Sequence, residues 1–271
     1  DAKEKLGYSV DYGKYTLCQA MDAYFKVFAV GPVVFCNVLD PGKHKKKNSE
    51  KEYTVVGRQR VLDEEGVIPG TLDVRMEEGV QLSGDEDYIA AFDRDGRLAI
   101  TLLASGQGAD AGKVRVTSES IAPEMVTELD VIGGKDVETG EESGLELVRR
   151  VYPVCGHFPG LILAPGWSHK RNVAAAMAAK CKGINGAFRC ECLVDLDTEE
   201  ARRYTDCAGV KEMYGIMDAS TIALYPMVQV AGKRVYYSAI YGAMTAQVDA
   251  DNDSVPSMSP SNRLLNVDGA V

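Results

Sequence analysis

Only three histidines, His44, His157 and His169, and a single tryptophan occur in 271 residues. No G-x-S-x-G, G-x-x-x-x-G-K-[ST] or H-E-x-x-H string is present, so the nucleophile elbow, the P-loop and the helical zinc-protease pair are absent as motifs. No run approaches the roughly 18 to 20 apolar residues that a membrane helix needs. Positive charge is scarce too: 30 Lys and Arg against 40 Asp and Glu give a formal charge of -10, the wrong sign for the basic footprint of a nucleic-acid or anionic-membrane binder. Seven cysteines are scattered without a framework spacing, which argues against a disulfide scaffold and for free thiols in a reducing compartment.

What is there is ordinary for a globular chain: 45% hydrophobic and 26% charged residues. A chain of this length buries about three-quarters of its unfolded surface, enough for a core without staples. The opening DAKEKLGYSVDYGK lacks the basic, apolar, small-residue order of a secretory leader. Position 1 is Asp, and the closing LLNVDGAV reads like the start of a strand, so both ends are expected to be cuts within a longer protein.

Residues 14–28 place Leu17, Ala20, Met21, Tyr24, Phe25 and Phe28 on one helical face, with Gly31-Pro32 as the stop. Residues 32–39 (PVVFCNVL) read as a strand covered on both sides. After Asp40-Pro41-Gly42 comes a basic run, Lys43 to Lys47, read as a mobile loop. Short β-type segments follow: YTVVGRQRVL, TLDVRM, YIAAFDRDGRLAITLLA and KVRVTSESI, with turns such as Arg94-Asp95-Gly96. Acidic residues concentrate between Asp63 and Asp95, read as a solvated face.

Past Gly133-Gly134 the α/β pattern resumes: a helix at 143–151, a strand at 160–164, an Ala-rich helix at 172–182 with Ser168 as candidate N-cap, and a strand at 188–195. A polar helix is expected around 198–214, then two strands, TIALYPMVQVAG and KRVYYSAIYGAM. The expected fold is thus an α/β core domain, layered, with a mostly parallel or mixed sheet and flanking helices, built from residues 1–42 and 131–271. An all-β domain, 43–130, is inserted into it, which costs little because loop-closure entropy grows only logarithmically.

Candidate chemistry is thin. Cys155 and His157 lie two apart and form a conceivable nucleophile pair, although the flanking Pro153 and Pro159 favour a packed loop. Cys190 and Cys192 share one face of a strand, and Cys181 and Cys207 could approach them, but no second C-x-x-C pair completes a zinc set and buried thiols are the plainer account. Gly133-Gly134-Lys135-Asp136 with Gly140 lacks the strand and the Gly-Lys-Ser/Thr of a phosphate loop and reads as a turn. Asp195 and Asp197 end a strand at the usual ligand edge of an open α/β sheet, where Asp197 or Thr198 would also serve as a helix cap. No catalytic, metal or cofactor site is assigned. The alternatives kept open are an α/β enzyme using these strand-end acids or Cys155 and His157, and a binding module whose β insert shows an aromatic patch at Tyr53, Tyr88 and Phe92.

The text LILAPGWSHKRNVAAAMAAKCKGINGAFRCECLVDLD, from Leu161 to Asp197, resembles the contractile phage tail sheath protein family: an apolar strand into an Ala-Pro-Gly turn, an Ala-rich helix, and a strand ending in Val-Asp. GGKDVETGEESGLELV, IALYPMVQV and YGAMTAQVDADNDSVPSMSPSNRLL resemble, in order, the family's Gly-Gly-x-Asp turn, its Tyr-Pro strand, and its helix with Asp-bearing loop and Ser-Pro-Ser-Asn-Arg segment. The resemblance covers about residues 14–40 and 131–271.

It implies a structural protein, not an enzyme: subunits stack as rings around a tail tube and contract by repacking, in a virion tail or phage-like particle assembled in the host cytoplasm. Implied partners are other sheath subunits, joined by strands that terminal extensions add to a neighbour's sheet, and the tail tube protein. Nucleic acid and membrane insertion are not implied. The family's Trp-Gly-x-Arg-Thr stretch is missing after the Ser-Asn-Arg segment, so this piece is expected to be monomeric or weakly associating, with its insert facing outward.

Overall fold

The computed structural model describes residues 7–271; residues 1–6, the start of the stretch read above for a leader, lie outside the described residues. The chain divides into two compact units, Asp1–Val38 with Thr127–Val271, and Leu39–Val126.

Helix α1, Leu17–Asp22, widens into a π turn over Ala23–Val27 and ends at Phe28. It starts later than residue 14 because the Asp11 carboxylate accepts the Gly13 and Lys14 N–H groups and holds those residues in a turn. Residues 32–39 correct the expectation of a strand: they belong to no sheet. Their apolar side chains are used all the same, Val33 in the cluster around Tyr24 and Phe28, and Phe35 against the Phe25 ring at 5.8 Å. Apolar content recorded that packing and not a ladder.

Leu39–Val126 is built from antiparallel strands. These are β1 (Lys45–Thr54), β2 (Gln59–Val61), β3 (Asp73–Met76), β4 (Gln81–Leu82), β5 (Tyr88–Phe92), β6 (Leu98–Leu102) and β7 (Lys113–Ile121). They form two sheets, ordered β1-β7-β3-β4 and β2-β6-β5. Along β7, Val114, Val116, Ser118 and Ser120 alternate inward, the period of two expected of a half-buried strand. The serines do not go unpaired, since Asn48 donates to both hydroxyls, at 2.9 and 2.8 Å. Leu62, Val74, Leu98 and Ile100 fill the core, each contributing about 1.5–3 kcal/mol of burial.

The unit begins before the basic run because Asp40 already turns into it: the Asp40 N–H donates to His44 Nδ1 and the Asp40 carbonyl accepts the His44 N–H. Lys45, Lys46 and Lys47 are then not a mobile loop but the first rungs of β1, opposite Ile121, Ser120 and Glu119. Charge explains it, since Lys45 pairs with Glu119 at 2.5 Å and Lys46 with Glu124 at 2.9 Å. The Arg94-Asp95-Gly96 turn lies where expected, with Asp93 Oδ1 accepting the N–H groups of Asp95 and Arg97 and Gly96 in the left-handed region.

In the other unit a Thr127–Asp130 capping box opens α2, Glu128–Ile132. A short hairpin of β8 (Gly134–Lys135) and β9 (Glu142–Ser143) follows. A 3₁₀ stretch, Gly144–Arg150, then runs into α3, Val151–Cys155, where one α-helix over 143–151 was expected. Next come β10 (Leu161–Leu163), α4 (Arg171–Cys181), β11 (Glu191–Asp195), α5 (Cys207–Met213), β12 (Thr221–Leu224), β13 (Val228–Val230), β14 (Lys233–Val235), α6 (Tyr237–Asp251) and β15 (Gly269–Ala270).

Three expectations change here, the first being that TIALYPMVQVAG is not one strand but β12 and β13, parted at Tyr225-Pro226 and placed in different sheets. The helix read over 198–214 is only α5, because Asp197 Oδ1 accepts the Glu199 N–H in a local turn and the helical run restarts where Asp206 accepts the Arg203 N–H. The strand read through KRVYYSAIYGAM stops at Val235, and the rest is α6. Its buried residues Ala239, Ile240, Ala243, Met244 and Val248 recur at helical spacing, which the two tyrosines at its head had masked.

Strands β10, β11 and β12 are parallel, in that order, with β11 central. Leu193 and Asp195 face α6: a Cβ on Gly242 would lie 3.1 Å from the Leu193 side chain, so the absent side chain lets the helix approach the strand. Cys192 faces α4, where it meets Cys181. A second sheet, β14-β13-β15, is antiparallel, and its β13–β14 hairpin turns through Ala231-Gly232 with both residues at positive φ. Among the described residues no helix is long and apolar enough to cross a membrane.

Candidate functional site

Asp195 closes β11 at the carboxyl edge of the parallel sheet, the position that made it a candidate. It is not the exposed acid expected there: its relative exposure is 3%. Oδ1 accepts the Ser238 N–H at 2.8 Å, and Oδ2 accepts the hydroxyls of Ser238 at 2.5 Å and Ser168 at 2.8 Å. The Ser168 oxygen in turn accepts the Asp195 N–H at 3.0 Å. Ser168 therefore does not cap α4, whose N-cap position is Lys170. Burial pushes the Asp195 carboxyl up to about 6, against hydrogen bonds from Ser238 and Ser168 that pull it down.

Chemically this is an acceptor holding three donors, and it serves as an N-terminal cap of α6 supplied from another element. Both serines are fully buried, so neither hydroxyl is offered to a substrate. Asp197 lies half-buried and spends Oδ1 on the Glu199 N–H. His169 stacks on Tyr236 with centroids 5.3 Å apart, and its carbonyl accepts the Tyr214 hydroxyl. Burial lowers the His169 imidazole below its ordinary value, with the Asp197 charge acting the other way.

Cys155 and His157 are both exposed, not packed as expected, and no hydrogen bond joins them among the described residues. Beside them lies a feature the sequence did not reveal, because one member is at least thirty residues from the other two and the three show no periodicity. The Tyr152 and Phe158 rings stack at 4.0 Å, and Phe188 stacks on Phe158 at 3.7 Å. All three rings and the neighbouring Val154 are exposed. By contrast Tyr53 and Tyr88 are core residues of the β unit and only Phe92 is exposed, so the aromatic patch expected there does not form.

All seven cysteines are free. Cys190 Sγ lies 3.2 Å from Cys181 Sγ, and Cys192 shares contacts with Cys181 and with Thr221. Hydrogen bonding to Cys190 and Cys192, then burial, pushes the Cys181 thiol up; the same contacts lower Cys190 and Cys192. Cys207 is not part of this group and contacts the Arg203 carbonyl. No group of three His, Cys, Asp or Glu with metal-holding geometry occurs among the described residues. The Gly133-Gly134-Lys135-Asp136 stretch is a hairpin turn in which Asp136 Oδ1 accepts the Glu138 and Thr139 N–H groups. A shallow depression lined by Glu146, Arg149, Lys180 and Asn185 has its polar groups committed to one another, Lys180 to Glu146 at 2.5 Å and Asn185 to the Arg149 carbonyl at 3.0 Å.

The geometry gathers donors around one buried acid, leaves an aromatic surface open and brings three thiols together. No protein-family model matches the chain. A tail sheath protein of Burkholderia phage BcepMu is 26% identical over 174 residues, a match that covers 61% of this chain and 34% of the relative. The similarity is to a structural tail protein. The chain spans about a third of the length of that relative.

Proposed function

We propose that this chain is a structural subunit of a contractile tail sheath, which assembles as stacked rings around a tail tube and contracts when its subunits repack. The observation that carries the reading is the 26% identity to a phage tail sheath protein. In this reading Asp1–Val38 with Thr127–Val271 is the layered α/β core, and Leu39–Val126 is an inserted all-β domain facing outward. The subunit's place is the virion tail, and its partners are other subunits and the tube.

The site supports this reading in two ways. The strand-end acid that an enzyme would use is consumed in tying β11, α6 and the turn before α4 together. The Tyr152, Phe158 and Phe188 stack leaves apolar surface outside the core, which a subunit with neighbours has a use for. Contraction then needs two packings of similarly folded subunits, with the extended one kinetically trapped.

The test is negative-stain electron microscopy and sedimentation of the protein expressed from its complete reading frame, with and without a tail tube protein of the same particle. Rings or striated tubes that lengthen with concentration are expected. A compact monomer under every condition overturns the proposal.

A further inference from the structure

We infer that Cys181 and Cys190 form a dithiol site that a low-molecular-weight disulfide converts into an internal staple between the end of α4 and the start of β11. The assignment does not depend on the assembly role. It stands on two independent contacts between the same pair: the sulfurs lie 3.2 Å apart, and the Cys190 N–H donates to the Cys181 carbonyl at 3.1 Å. The two contacts bring both the sulfurs and the main chains of the pair together, as a disulfide requires. Closing the bond asks the sulfurs to approach by about 1.2 Å.

The third thiol does not compete equally. Cys192 lies on β11 and Cys190 just before it, and both contact Cys181. Cys192 also has a second partner in Thr221 at 3.3 Å. Burial, and after it the neighbouring Cys155, raises the Cys36 thiol, apart from this group.

Access decides the order of events. Cys181 is fully buried, whereas Cys190 is 6% exposed and follows the exposed residues 185–189. That turn is held by the reciprocal hydrogen bonds of Ile184 and Phe188, so its opening admits the oxidant to Cys190 first. The Cys190 thiolate attacks one sulfur of oxidised glutathione, forming a mixed disulfide and releasing one glutathione. Cys181 then attacks Cys190 Sγ, breaking the mixed disulfide and releasing the second. Two protein S–H bonds are lost and one S–S bond is made; two electrons reduce the glutathione disulfide, and the two protons end on its thiols.

The experiment treats the whole chain with oxidised glutathione at pH 8, quenches with acid and titrates thiols in denaturant. Expected are loss of the Cys181 and Cys190 thiols without bound glutathione, any glutathione on the exposed Cys155 being a separate mixed disulfide, and a linked peptide pair after combined digestion at Lys, Arg and Glu, where cleavage after Glu191 separates Cys190 from Cys192. Closing this short loop should raise the melting temperature by about 5 °C, reversibly with dithiothreitol. Cys190→Ser should show neither change. Cys181 and Cys190 thiols retained after prolonged treatment, or linkage through Cys36, Cys155 or Cys192 in place of Cys190, overturns the assignment.

Discussion

Ser238 is bound to Asp195 twice, by its main-chain N–H at 2.8 Å and by its hydroxyl at 2.5 Å. One carboxylate thus fixes both the first turn of α6 and the end of β11, with Ser168 as the third arm. Replacing it with Ala strands three buried donors, each costing about 1–3 kcal/mol. Asp195→Ala should lower unfolding free energy by about 3–5 kcal/mol in urea titration. A loss under about 1 kcal/mol would show that the tie is dispensable.

The same carboxyl sets a pH dependence of known sign. Its folded value, about 6, lies above the ordinary 3.8, so between them the folded state binds the proton more tightly than the unfolded chain does. Its contribution to stability is greatest below about pH 4, declines as pH rises to 6 and is level above, a change on the order of 3 kcal/mol. His169 acts in the opposite sense, because burial lowers its folded value and stability from it grows as pH rises towards 6.5. The comparison that isolates Asp195 is wild type against Asp195→Asn between pH 4 and 7, where the wild type should lose ground to the variant as pH rises. Parallel curves would count against the assignment.

Gly166, in the turn after β10, has φ +81°, and a Cβ there would meet Thr16 Cγ2 at 2.4 Å. Gly166→Ala combines backbone strain with a clash against the residue preceding α1, and a loss of about 1–3 kcal/mol is expected. Adding Thr16→Ser removes the Cγ2 contact but leaves the Thr16 Cβ at 2.8 Å, so it should recover only a fraction of the steric cost, which double-mutant urea curves will resolve.

Ala231 is held at φ +49° in the β13–β14 hairpin, a conformation costing an L-residue about 1–2 kcal/mol. Ala231→Asn should therefore stabilise the chain, by about 0.5–1 kcal/mol. An unchanged or lowered melting temperature would mean that the turn relaxes elsewhere.

The core of the β unit, from Tyr53 to Val116, is drawn from its own residues. Leu39–Val126 expressed alone should melt in one cooperative transition by far-ultraviolet circular dichroism; a broad, non-cooperative loss of signal would show that it needs the rest of the chain.

The sequence was legible where one local signal dominated. Ala-rich residues 172–182 gave α4, and Arg94-Asp95-Gly96 gave the β5–β6 turn. It misled where tertiary packing decided. Residues 32–39 are apolar because Val33 and Phe35 pack on neighbouring side chains, although the segment joins no ladder. Tyr236 and Tyr237 carry β propensity, yet the five inward residues behind them form a helix. For the site, Asp195 was found by its place at a strand end, but its burial was not, since Ser238 lay in a segment read as strand. Of the two thiols that could approach Cys190 and Cys192, the sequence did not single out Cys181; the turn at residues 182–189 brings it back to Cys190, while Cys207 contacts the Arg203 carbonyl.

The entry and exit of the β unit occupy facing rungs, Lys45 opposite Ile121 with Ala122 bonded to the His44 carbonyl. Tension applied through the flanking stretches therefore falls on that first rung alone, and the β1–β7 ladder peels one hydrogen-bonded pair at a time instead of resisting in shear. Pulling between residues 40 and 126 in an optical trap should extend the unit at low force. Under mechanical load it would act as a yielding tether, lengthening before any strand of the parallel sheet is strained.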